Sequence, residues 1–586
     1  MKVKRWALGL FILILSMASV SCNSTVHNDN DISDNDISDN DIITTDVSIN
    51  ENDDNMDASE NEIVDFTMFV AMSGTEIDDN NDICEEIAKR TGVRLKETWS
   101  TNIPIEEAVS KIIESGDIPD FIDGLDAMNQ LYEQGLLVPW DEYLEKYPNL
   151  KELYTDEEWE SFRKDDGHIY WANVFCNTYG EDKTKIHNDE AFWIQVRVLE
   201  YFDYPKITTL DEYFEILEKY YEENKIFTDS EGTVVDIIPY TALCDDWRYF
   251  CIENAPNFLD GYMMDGTLSV DTTHFEKPTA ISYDNSETAR RYLSKLNEEY
   301  KKGIVDKDFD LQTYDEYIEK LSTGAVLGMC DQFWDFDYSI DASYKKRGLE
   351  ELGCDYVPLG LTIDKDMTQR WHVYGDYINN SSGIAVTTEC SDPELAFSFL
   401  NAVLDQEIHD LRFWGIEGVD YLVDEDGLYY RTDEMRQRCN DEAYQKSHFC
   451  RYSYLPQWLG TSRDNINAMQ PSEQNSEYYE TVSKPLADCF KAYGAGGYVD
   501  MLGSEKEDIP VWYPLYTYSS LMTTDTPGAK AHIKMVDCKH EWLPKVVKAN
   551  DFESAWKKYM AAYDACNPQD YIDEQQYELD YRINRR

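Results

Sequence analysis

The sequence of 586 residues predicts an α/β fold. Short stretches that alternate apolar and polar residues are followed by segments of about 10 to 15 residues with helical periodicity. Glycine or proline marks the ends of several of these segments, and the order of strand and helix recurs along the chain. This alternation is typical of βαβ units in mainly parallel sheets, where ligands bind beyond the carboxyl ends of the strands.

The first set of elements begins with Phe66, Met68 and Val70, which alternate with polar residues as in a strand with one buried face. Gly92 and Gly116 end the two helices of this set, because glycine readily adopts the left-handed conformation that follows a helix. The predicted strands are 66–70, 93–99 and 119–122, and the predicted helices are 79–90 and 105–114.

The second set contains clear helix boundaries. Thr209 and Glu212 have the spacing of a capping box, which starts a long helix. Ser286 is a further N-cap, and Gly303 ends the helix that it starts. The predicted helices are 191–201, 209–223, 286–302, 394–404 and 552–563; the predicted strands are 234–238, 325–329 and 384–387; and residues 421–423 and 428–431 form a predicted hairpin.

The chain begins with the layout of a secretory signal peptide: basic residues, the apolar run 6–15 and small residues up to Cys22. The apolar run is shorter than the roughly 20 residues of a membrane-spanning helix. We therefore expect a lipoprotein signal peptide over residues 1–21 and lipid attachment to Cys22. Ser19 stands where bacterial lipoproteins usually have leucine, so an ordinary secretory signal with an incidental cysteine is the alternative.

Residues 22–62 form an acidic, low-complexity segment in which a five-residue unit recurs. Such a composition buries too little apolar surface to offset the entropy of ordering the chain. A coil of this length spans about 35 Å. The sequence therefore predicts a lipidated, disordered tether that holds a folded domain, residues 63–586, at the extracellular face of the cell membrane.

The net charge is −64, from 116 acidic and 52 basic residues. Nucleic acid and an anionic bilayer surface would both be repelled, so we expect the lipid to be the only membrane contact and no nucleic acid to be bound. Twelve cysteines besides Cys22 show no Cys-x-x-Cys pair, and no histidine spacing resembles a zinc site. We expect mostly free buried thiols, no cofactor, and no metal, including calcium at the acidic stretches 229–232 or 306–310.

Several stretches, in order and spacing, resemble the extracellular solute-binding proteins (family 1-like) of carbohydrate-type ABC importers, in particular the large Gram-positive lipoproteins. They cover most of residues 64–582. The stretches are 115–120 (SGDIPD), 131–139 (LYEQGLLVP), 166–170 (DGHIY), 208–213 (TTLDEY), 323–330 (TGAVLGMC) with Trp334, 415–421 (GIEGVDY), and 556–559 (WKKY) onward to 581–582.

The resemblance implies a two-lobed periplasmic-binding-protein-like fold of type II, with a ligand cleft between lobes that close on the solute. Because the chain crosses between the lobes more than once, each lobe is discontinuous in sequence. The predicted first lobe contains residues 63–178 and 375–430, and the predicted second lobe contains residues 179–374 and 431–586.

A sugar site needs flat aromatic rings for the C–H faces and fixed polar groups for the hydroxyls. Tyrosine (42) and tryptophan (14) are abundant. Residues that follow predicted strands are the best candidates, and Trp334 leads them because the resembled family often has a stacking aromatic there. The predicted ligand residues are Trp334, Asp331, Asp245, Asp246, Trp247, Arg248, Trp99, Asp123, Trp371 and Trp458; for each, packing in a core is the alternative.

These observations predict a monomeric binding protein that captures an oligosaccharide and delivers it to ABC permease subunits, without catalysis. Two other classes stay open: a binding lipoprotein for a peptide or other solute, or a sensor partner, and a glycoside hydrolase that uses two carboxylates. The sequence contains no Gly-x-Ser-x-Gly elbow, no His-Glu-x-x-His helix and no phosphate-binding loop of the Walker type.

Overall fold

The computed structural model describes residues 63–584 apart from 75–76, 79, 101–102, 176, 264–265, 267, 374–377 and 504–508. The predicted signal peptide and the whole predicted tether, including Cys22, lie outside the described residues. Within the described part, no helix combines the length and the apolar character needed to cross a bilayer.

The strands are short; seven of the fifteen described strands lie in two larger sheets, and the other eight form four two-stranded pairs. They are β1 (Val64–Val70), β2 (Val93–Trp99), β3 (Phe121–Asp123), β4 (Thr178–Tyr179), β5 (Glu190–Gln195), β6 (Ile226–Thr228), β7 (Val234–Asp236), β8 (Ser269–Asp271), β9 (Thr279–Ile281), β10 (Gly328–Gln332), β11 (Tyr356–Leu359), β12 (Ala385–Val386), β13 (Leu422–Val423), β14 (Tyr429–Tyr430) and β15 (Leu459–Gly460).

The helices fall between and after these strands. They are α1 (Asp82–Thr91), α2 (Ile105–Ser115), α3 (Met128–Glu133), α4 (Asp141–Leu144), α5 (Pro148–Glu152), α6 (Asp156–Ser161), α7 (Val196–Tyr201), α8 (Leu210–Glu223), α9 (Phe250–Glu253), α10 (Ala255–Leu259), α11 (Glu287–Lys302), α12 (Tyr314–Leu321), α13 (Phe333–Arg347), α14 (Pro393–Ala402), α15 (Gln406–Phe413), α16 (Asp433–Cys439), α17 (Glu442–His448), α18 (Asn475–Thr481), α19 (Lys484–Tyr493), α20 (Tyr498–Leu502), α21 (Thr517–Leu521), α22 (Pro527–Val547), α23 (Phe552–Asp564) and α24 (Pro568–Asn584).

The first sheet confirms the predicted βαβ arrangement. Its strand order is β12-β3-β1-β2, with β1 parallel to both β2 and β3 and β12 antiparallel to β3. Val70, Trp99 and Asp123 are in register at the carboxyl ends of β1, β2 and β3. The loops that follow these three strands therefore begin at one edge of the sheet.

The second sheet differs from the predicted parallel pattern. Its order is β10-β5-β11, and both pairings are antiparallel. Among the described residues of this lobe, parallel pairing consists of single bridges such as Ile238 with Val326. The predicted helix 191–201 is wrong in its first half, where β5 is the central strand. All six residues of β5 are buried, and a short apolar run that is buried on both faces cannot be distinguished from a buried helix by periodicity.

Several predicted boundaries are confirmed. The Thr209 side chain accepts a hydrogen bond from the Glu212 amide at the start of α8, and Ser286 caps α11 through the Ala289 amide. Gly303 ends α11 with φ 77°, a left-handed conformation that a side chain would disfavour. The predicted hairpin is the pair β13 and β14.

Two hydrophobic cores define two α/β lobes. The first core contains residues from 66–174, 384–411 and 450–469, and the second contains residues from 191–371 and 478–579. The sequence assigned 431–586 to the second lobe, but Cys450, Tyr452 and Leu455 pack in the first core. In the described part of the chain, residues 63–584, the chain therefore passes between the cores three times. We name the described residues of 175–190, 372–383 and 470–477 the first, second and third crossings.

Candidate ligand cleft

An aromatic group forms at the edge of the first sheet where β2 ends. Trp99 meets the Tyr454 ring edge-on at 5.3 Å between centroids, and Phe175 meets the same tyrosine at 5.1 Å. Phe175 is 38% exposed. A Cβ at Gly74 would lie 2.1 Å from Cδ2 of Trp99, so the indole packs directly on a glycine backbone. These rings present an apolar surface at the carboxyl ends of the parallel strands.

Polar atoms without partners lie beside this aromatic group. Among the described residues, Glu97 Oε1, Trp99 Nε1 and Ser100 Oγ are buried and have no hydrogen-bond partner. Burial raises the pKa of Glu97 to about 7. Buried polar atoms in folded proteins are nearly always hydrogen-bonded, so these three are positioned to bond to water or to a ligand.

The second-lobe wall is one face of α13, the helix that directly follows β10. Trp334, Asp337 and Tyr338 are three and four residues apart and therefore share a face, while Phe336 and Ile340 are buried in the second core. The Tyr338 hydroxyl donates to Oδ1 of Asn188, a residue of the first crossing, at 3.1 Å. This face of α13 lies beside the chain segment that joins the two lobes.

Tyr338 of the second lobe lies within electrostatic range of Arg451 of the first lobe. Tyr338 is 59% exposed, yet desolvation raises its pKa to about 12, with opposing influence from the Arg451 charge. Arg451 is likewise exposed, and desolvation lowers its pKa. A side chain that solvent reaches but that protein surrounds lies in a concave surface. The two residues therefore lie where the two lobes approach each other.

Comparison with solved structures agrees with this two-lobed geometry. The alginate-binding protein AlgQ2, solved without calcium ion, matches with a TM-score of 0.60 and 15% identity over 89% of this chain and 98% of that chain. FusA, an ABC-transporter substrate-binding protein of S. pneumoniae in complex with kestose, matches with a TM-score of 0.59 and 16% identity over 89% of this chain and 100% of that chain. The chain has the fold of an ABC-transporter solute-binding protein.

A third match has the same extent. The HMO binding ABC-transporter associated solute-binding protein from Bifidobacterium longum infantis has a TM-score of 0.58 and 13% identity, over 88% of this chain and 98% of that chain. No protein-family model and no curated protein matches the sequence. The predicted solute-binding fold is therefore confirmed by structure, although little of the sequence is shared with these proteins.

In this solute-binding fold, three of the predicted ligand residues form one cluster. The indoles of Trp247 and Trp334 are nearly parallel, 10° apart, with centroids separated by 5.8 Å. The Arg248 guanidinium lies 4.4 Å from the centroid of Trp247 and forms an ion pair with Asp335 at 2.9 Å. Trp247 is 39% exposed. The cluster is an aromatic surface on the second lobe, held in place by a buried carboxylate.

The two aspartates before this cluster have different positions. Asp245 Oδ2 accepts a hydrogen bond from the Tyr314 amide at 2.9 Å, which fixes the loop against the start of α12. Asp246 is exposed and has a positive φ of 49°. Asp246 is thus available to a ligand, whereas one Asp245 oxygen already has a structural partner.

Asp331 does not face the cleft, contrary to the prediction. It is fully buried and accepts hydrogen bonds from the Tyr317 hydroxyl, the Cys251 thiol at 3.4 Å and the Gln332 amide at 2.7 Å. Burial raises its pKa well above the ordinary value. Because β10 pairs with the central strand of the sheet, a residue near its end lies inside the lobe. The prediction was wrong because it took a position near the end of a strand as a sign of exposure to the ligand.

Trp371 and Trp458 are also core residues. Trp371 donates from Nε1 to the Leu361 carbonyl at 2.7 Å and stacks on Phe258 at 4.5 Å. Trp458 is buried in the first core. Asp123 is buried at the end of β3, where it accepts from the Leu125 amide at 2.9 Å and burial raises its pKa to about 6. Its charge influences the Tyr454 hydroxyl, but the Asp123 side chain itself is buried.

The sequence prediction missed Phe175, Tyr338, Arg451 and Tyr454. Tyr338 could have been found, because it lies four residues after Trp334 on the same helix. No local pattern marks the other three. They belong to a crossing and to a loop of the third sequence segment of the first lobe. Only the fold brings Phe175 and Tyr454 to Trp99 at the end of β2 and Arg451 near Tyr338.

A separate cavity of 1490 Å³ also lies between the lobes, and none of the predicted ligand residues line it. Tyr132, Arg163 and Lys164 line it from the first lobe, and Tyr513 and Tyr577 are among the residues that line it from the second. The lobes touch beside it, where Asn129 of the first lobe donates to the Ser520 carbonyl of the second at 3.2 Å. The interlobe space therefore extends well beyond the aromatic group at Trp99.

Two of the crossings bring potential metal ligands together. One ligand atom each from His187, Asp189 and His372 lie within 4.8 Å of one another. The two histidines are 185 residues apart in sequence.

Proposed function

We propose that the chain is an extracellular binding protein that captures an oligosaccharide in the interlobe cleft and delivers it to the permease subunits of an ABC importer. The observation that carries this proposal is the group at the end of β2, where the rings of Trp99, Tyr454 and Phe175 adjoin three unpartnered polar atoms. Aromatic faces beside free hydrogen-bonding atoms suit the C–H faces and hydroxyls of a sugar.

The names of the matched structures support a carbohydrate as the ligand. AlgQ2 is an alginate-binding protein, FusA was solved with kestose, and the third protein is described as HMO binding. Proteins that bind sugars and proteins that bind peptides can share a two-lobed fold. The chemistry of the cleft, more than the fold, therefore favours a sugar.

The proposed mechanism is capture without covalent chemistry. A ligand that contacts Trp99 and Tyr454 on one lobe and Trp334 and Tyr338 on the other binds the closed form more tightly than the open form. The ligand therefore shifts the population towards closure by its differential affinity for the two forms. The three crossings are the segments that would bend, and the closed form would dock on the permease.

We further propose that the chain is exported and anchored by lipid on Cys22, with residues 22–62 as the tether. The support is the sequence pattern before Cys22 and the acidic composition after it. Metabolic labelling with a radioactive fatty acid in the native cell is expected to label the chain and to fail in Cys22→Ala. Equal labelling of that variant would contradict the anchor, independently of what the cleft binds.

Calorimetry with a panel of defined oligosaccharides tests the ligand. We expect at least one sugar to bind with a stoichiometry of one and to be recovered intact afterwards. Trp99→Ala is expected to weaken binding at least tenfold, which corresponds to about 1.4 kcal/mol. Trp542→Ala, which removes a half-buried tryptophan of α22 in the second lobe, is the matched control and should leave the affinity unchanged.

Three results would contradict the proposal. Peptide binding with no heat from any sugar would indicate a different solute, and cleavage of the sugar would indicate a hydrolase. Equal losses in Trp99→Ala and in the Trp542→Ala control would show that the effect does not come from the cleft.

A further inference from the structure

His187 has the features of a prepared metal ligand. Its side chain is fully buried in the first crossing, and its Nε2 lies 3.1 Å from the Glu190 carbonyl oxygen. A carbonyl oxygen only accepts, so Nε2 carries the proton and Nδ1 presents a lone pair. Metal-binding histidines commonly have their tautomer set by this kind of hydrogen bond from the other ring nitrogen.

The lone pair of His187 points to a second imidazole. His372 Nδ1, at the start of the second crossing, lies 3.0 Å from His187 Nδ1, and an Asp189 carboxylate oxygen completes a group within 4.8 Å. Two nitrogens at about 2.0 to 2.1 Å from one tetrahedral zinc ion lie about 3.3 Å apart. The observed separation of the two nitrogens thus needs to increase by only a few tenths of an ångström.

We propose that His187, Asp189 and His372 bind one divalent transition-metal ion, for which Zn²⁺ is the test ion, through two Nδ1 atoms and a carboxylate oxygen. Imidazole nitrogen with a single carboxylate is a ligand set for zinc and its neighbours, whereas Ca²⁺ and Mg²⁺ prefer an all-oxygen set. Asp189 is exposed, which provides an entry path and leaves a fourth position for water.

The position of the site links it to the movement of the lobes. His187 and Asp189 belong to the first crossing and His372 belongs to the second, so one ion would join two of the three segments that connect the lobes. The intervening Asn188 accepts from the Tyr338 hydroxyl through its side chain, and its backbone carbonyl lies 3.5 Å from the Trp334 amide. A bound ion would therefore stiffen the loop against which the cleft face of α13 rests.

The alternative is a hydrogen bond between the two imidazoles with no ion. In that arrangement His372 donates from Nδ1 to His187, and the group is a structural link that does not depend on metal. This alternative predicts no specific metal binding, so a direct binding measurement separates the two.

The experiment uses the purified full-length chain, stripped with EDTA, dialysed and titrated with Zn²⁺ in a calorimeter, with metal content measured after gel filtration. We expect one tightly held ion per chain. Asp189→Asn and His372→Gln are each expected to lower the zinc affinity at least about tenfold. Loss of a residue that only hydrogen-bonds to a metal ligand already lowers affinity by about 10- to 100-fold. Both side chains are partly or fully exposed, so these variants should fold, and circular dichroism checks this.

His274→Ala is the matched control, because His274 forms a surface pair with Asp271 at 2.8 Å that resembles an adventitious site. It should leave the stoichiometry and affinity unchanged. Replacement of Zn²⁺ by Co²⁺ should give visible absorption bands that are lost in Asp189→Asn. The proposal is overturned if the wild-type chain retains no ion at micromolar zinc, or if binding is equal in wild type, Asp189→Asn and His372→Gln. None of these readouts requires a sugar, so they are independent of the proposed function.

Discussion

The Arg412 guanidinium donates from Nε to the backbone carbonyl of Arg451 at 2.8 Å, and so fixes the loop that carries the charge at the cleft. Arg412 is fully buried, and burial lowers its pKa to about 10. Its other nitrogens donate to further backbone carbonyls of the first lobe, those of Val403, Tyr452, Leu455 and Pro456. One buried cation therefore organises residues 451–456, including Tyr454 of the aromatic group.

Arg412→Met is expected to destabilise the protein by about 3 kcal/mol or more, because several buried carbonyls lose a charged donor. Urea denaturation should show a lower midpoint with an unchanged slope. Arg90→Met, which removes a surface ion pair with Glu86, should change the stability by about 1 kcal/mol or less. Equal effects of the two substitutions would contradict a specific role for the carbonyl cage.

Arg451→Met should weaken ligand binding without lowering the stability of the protein. Desolvation lowers the pKa of Arg451, so its charge is held at an unfavourable position, as is common at functional sites. We expect the variant to be as stable as the wild type within about 0.5 kcal/mol, or more stable. Ligand affinity should fall at least tenfold, about 1.4 kcal/mol. A stable variant with unchanged affinity would show that Arg451 does not contribute to ligand binding.

Glu97→Gln should change how stability depends on pH. Burial raises the pKa of Glu97 from 4.5 to about 7 in the folded protein, so between these values the folded state holds a proton that the unfolded state releases. The contribution of Glu97 to stability therefore falls as the pH rises through this window. Glutamine stays neutral, so we expect the variant to gain stability relative to wild type at pH 8 and to show little of this gain at pH 4.

Thermal unfolding of both proteins at pH 4, 6 and 8 measures this difference. Asp65→Asn, which changes an exposed carboxylate at the start of β1, is the control and should show no comparable trend. A constant difference between Glu97→Gln and wild type at all three pH values would contradict the raised pKa.

Trp371→Ala should mainly lower the stability of the protein, whereas Trp334→Ala should mainly weaken ligand binding. Trp371 is packed in the second core, so its removal is expected to cost about 3 to 5 kcal/mol of folding free energy. Trp334 is partly exposed beside Trp247, so its removal should cost much less stability and should weaken ligand binding. Denaturation midpoints and calorimetry on both variants measure this. A large affinity loss in a stable Trp371→Ala variant would show that the core assignment is wrong.

The sequence predicted elements well wherever one face is buried and the ends carry caps. The strand β1 alternates along its length, and Ser286 and Gly303 mark both ends of α11, so local pattern was sufficient. It failed at β5, where every residue is buried and the pattern carries no period. The sequence analysis also assigned residues 450–469 to the second lobe, whereas their buried residues pack in the first core. Local composition does not show where the chain passes from one lobe to the other.

The sequence by itself determined the α/β class, the boundaries of the capped helices such as α8 and α11, the acidic composition and the presence of aromatic residues after strands. These properties follow from periodicity, capping and composition, which act over a few residues. Only the tertiary structure decided which residues come together between the lobes: it buried Asp331, Trp371 and Trp458 and brought Arg451 within electrostatic range of Tyr338. It also brought His187 to His372 across 185 residues. Such contacts depend on how the three crossings route the chain, and long-range packing sets that route.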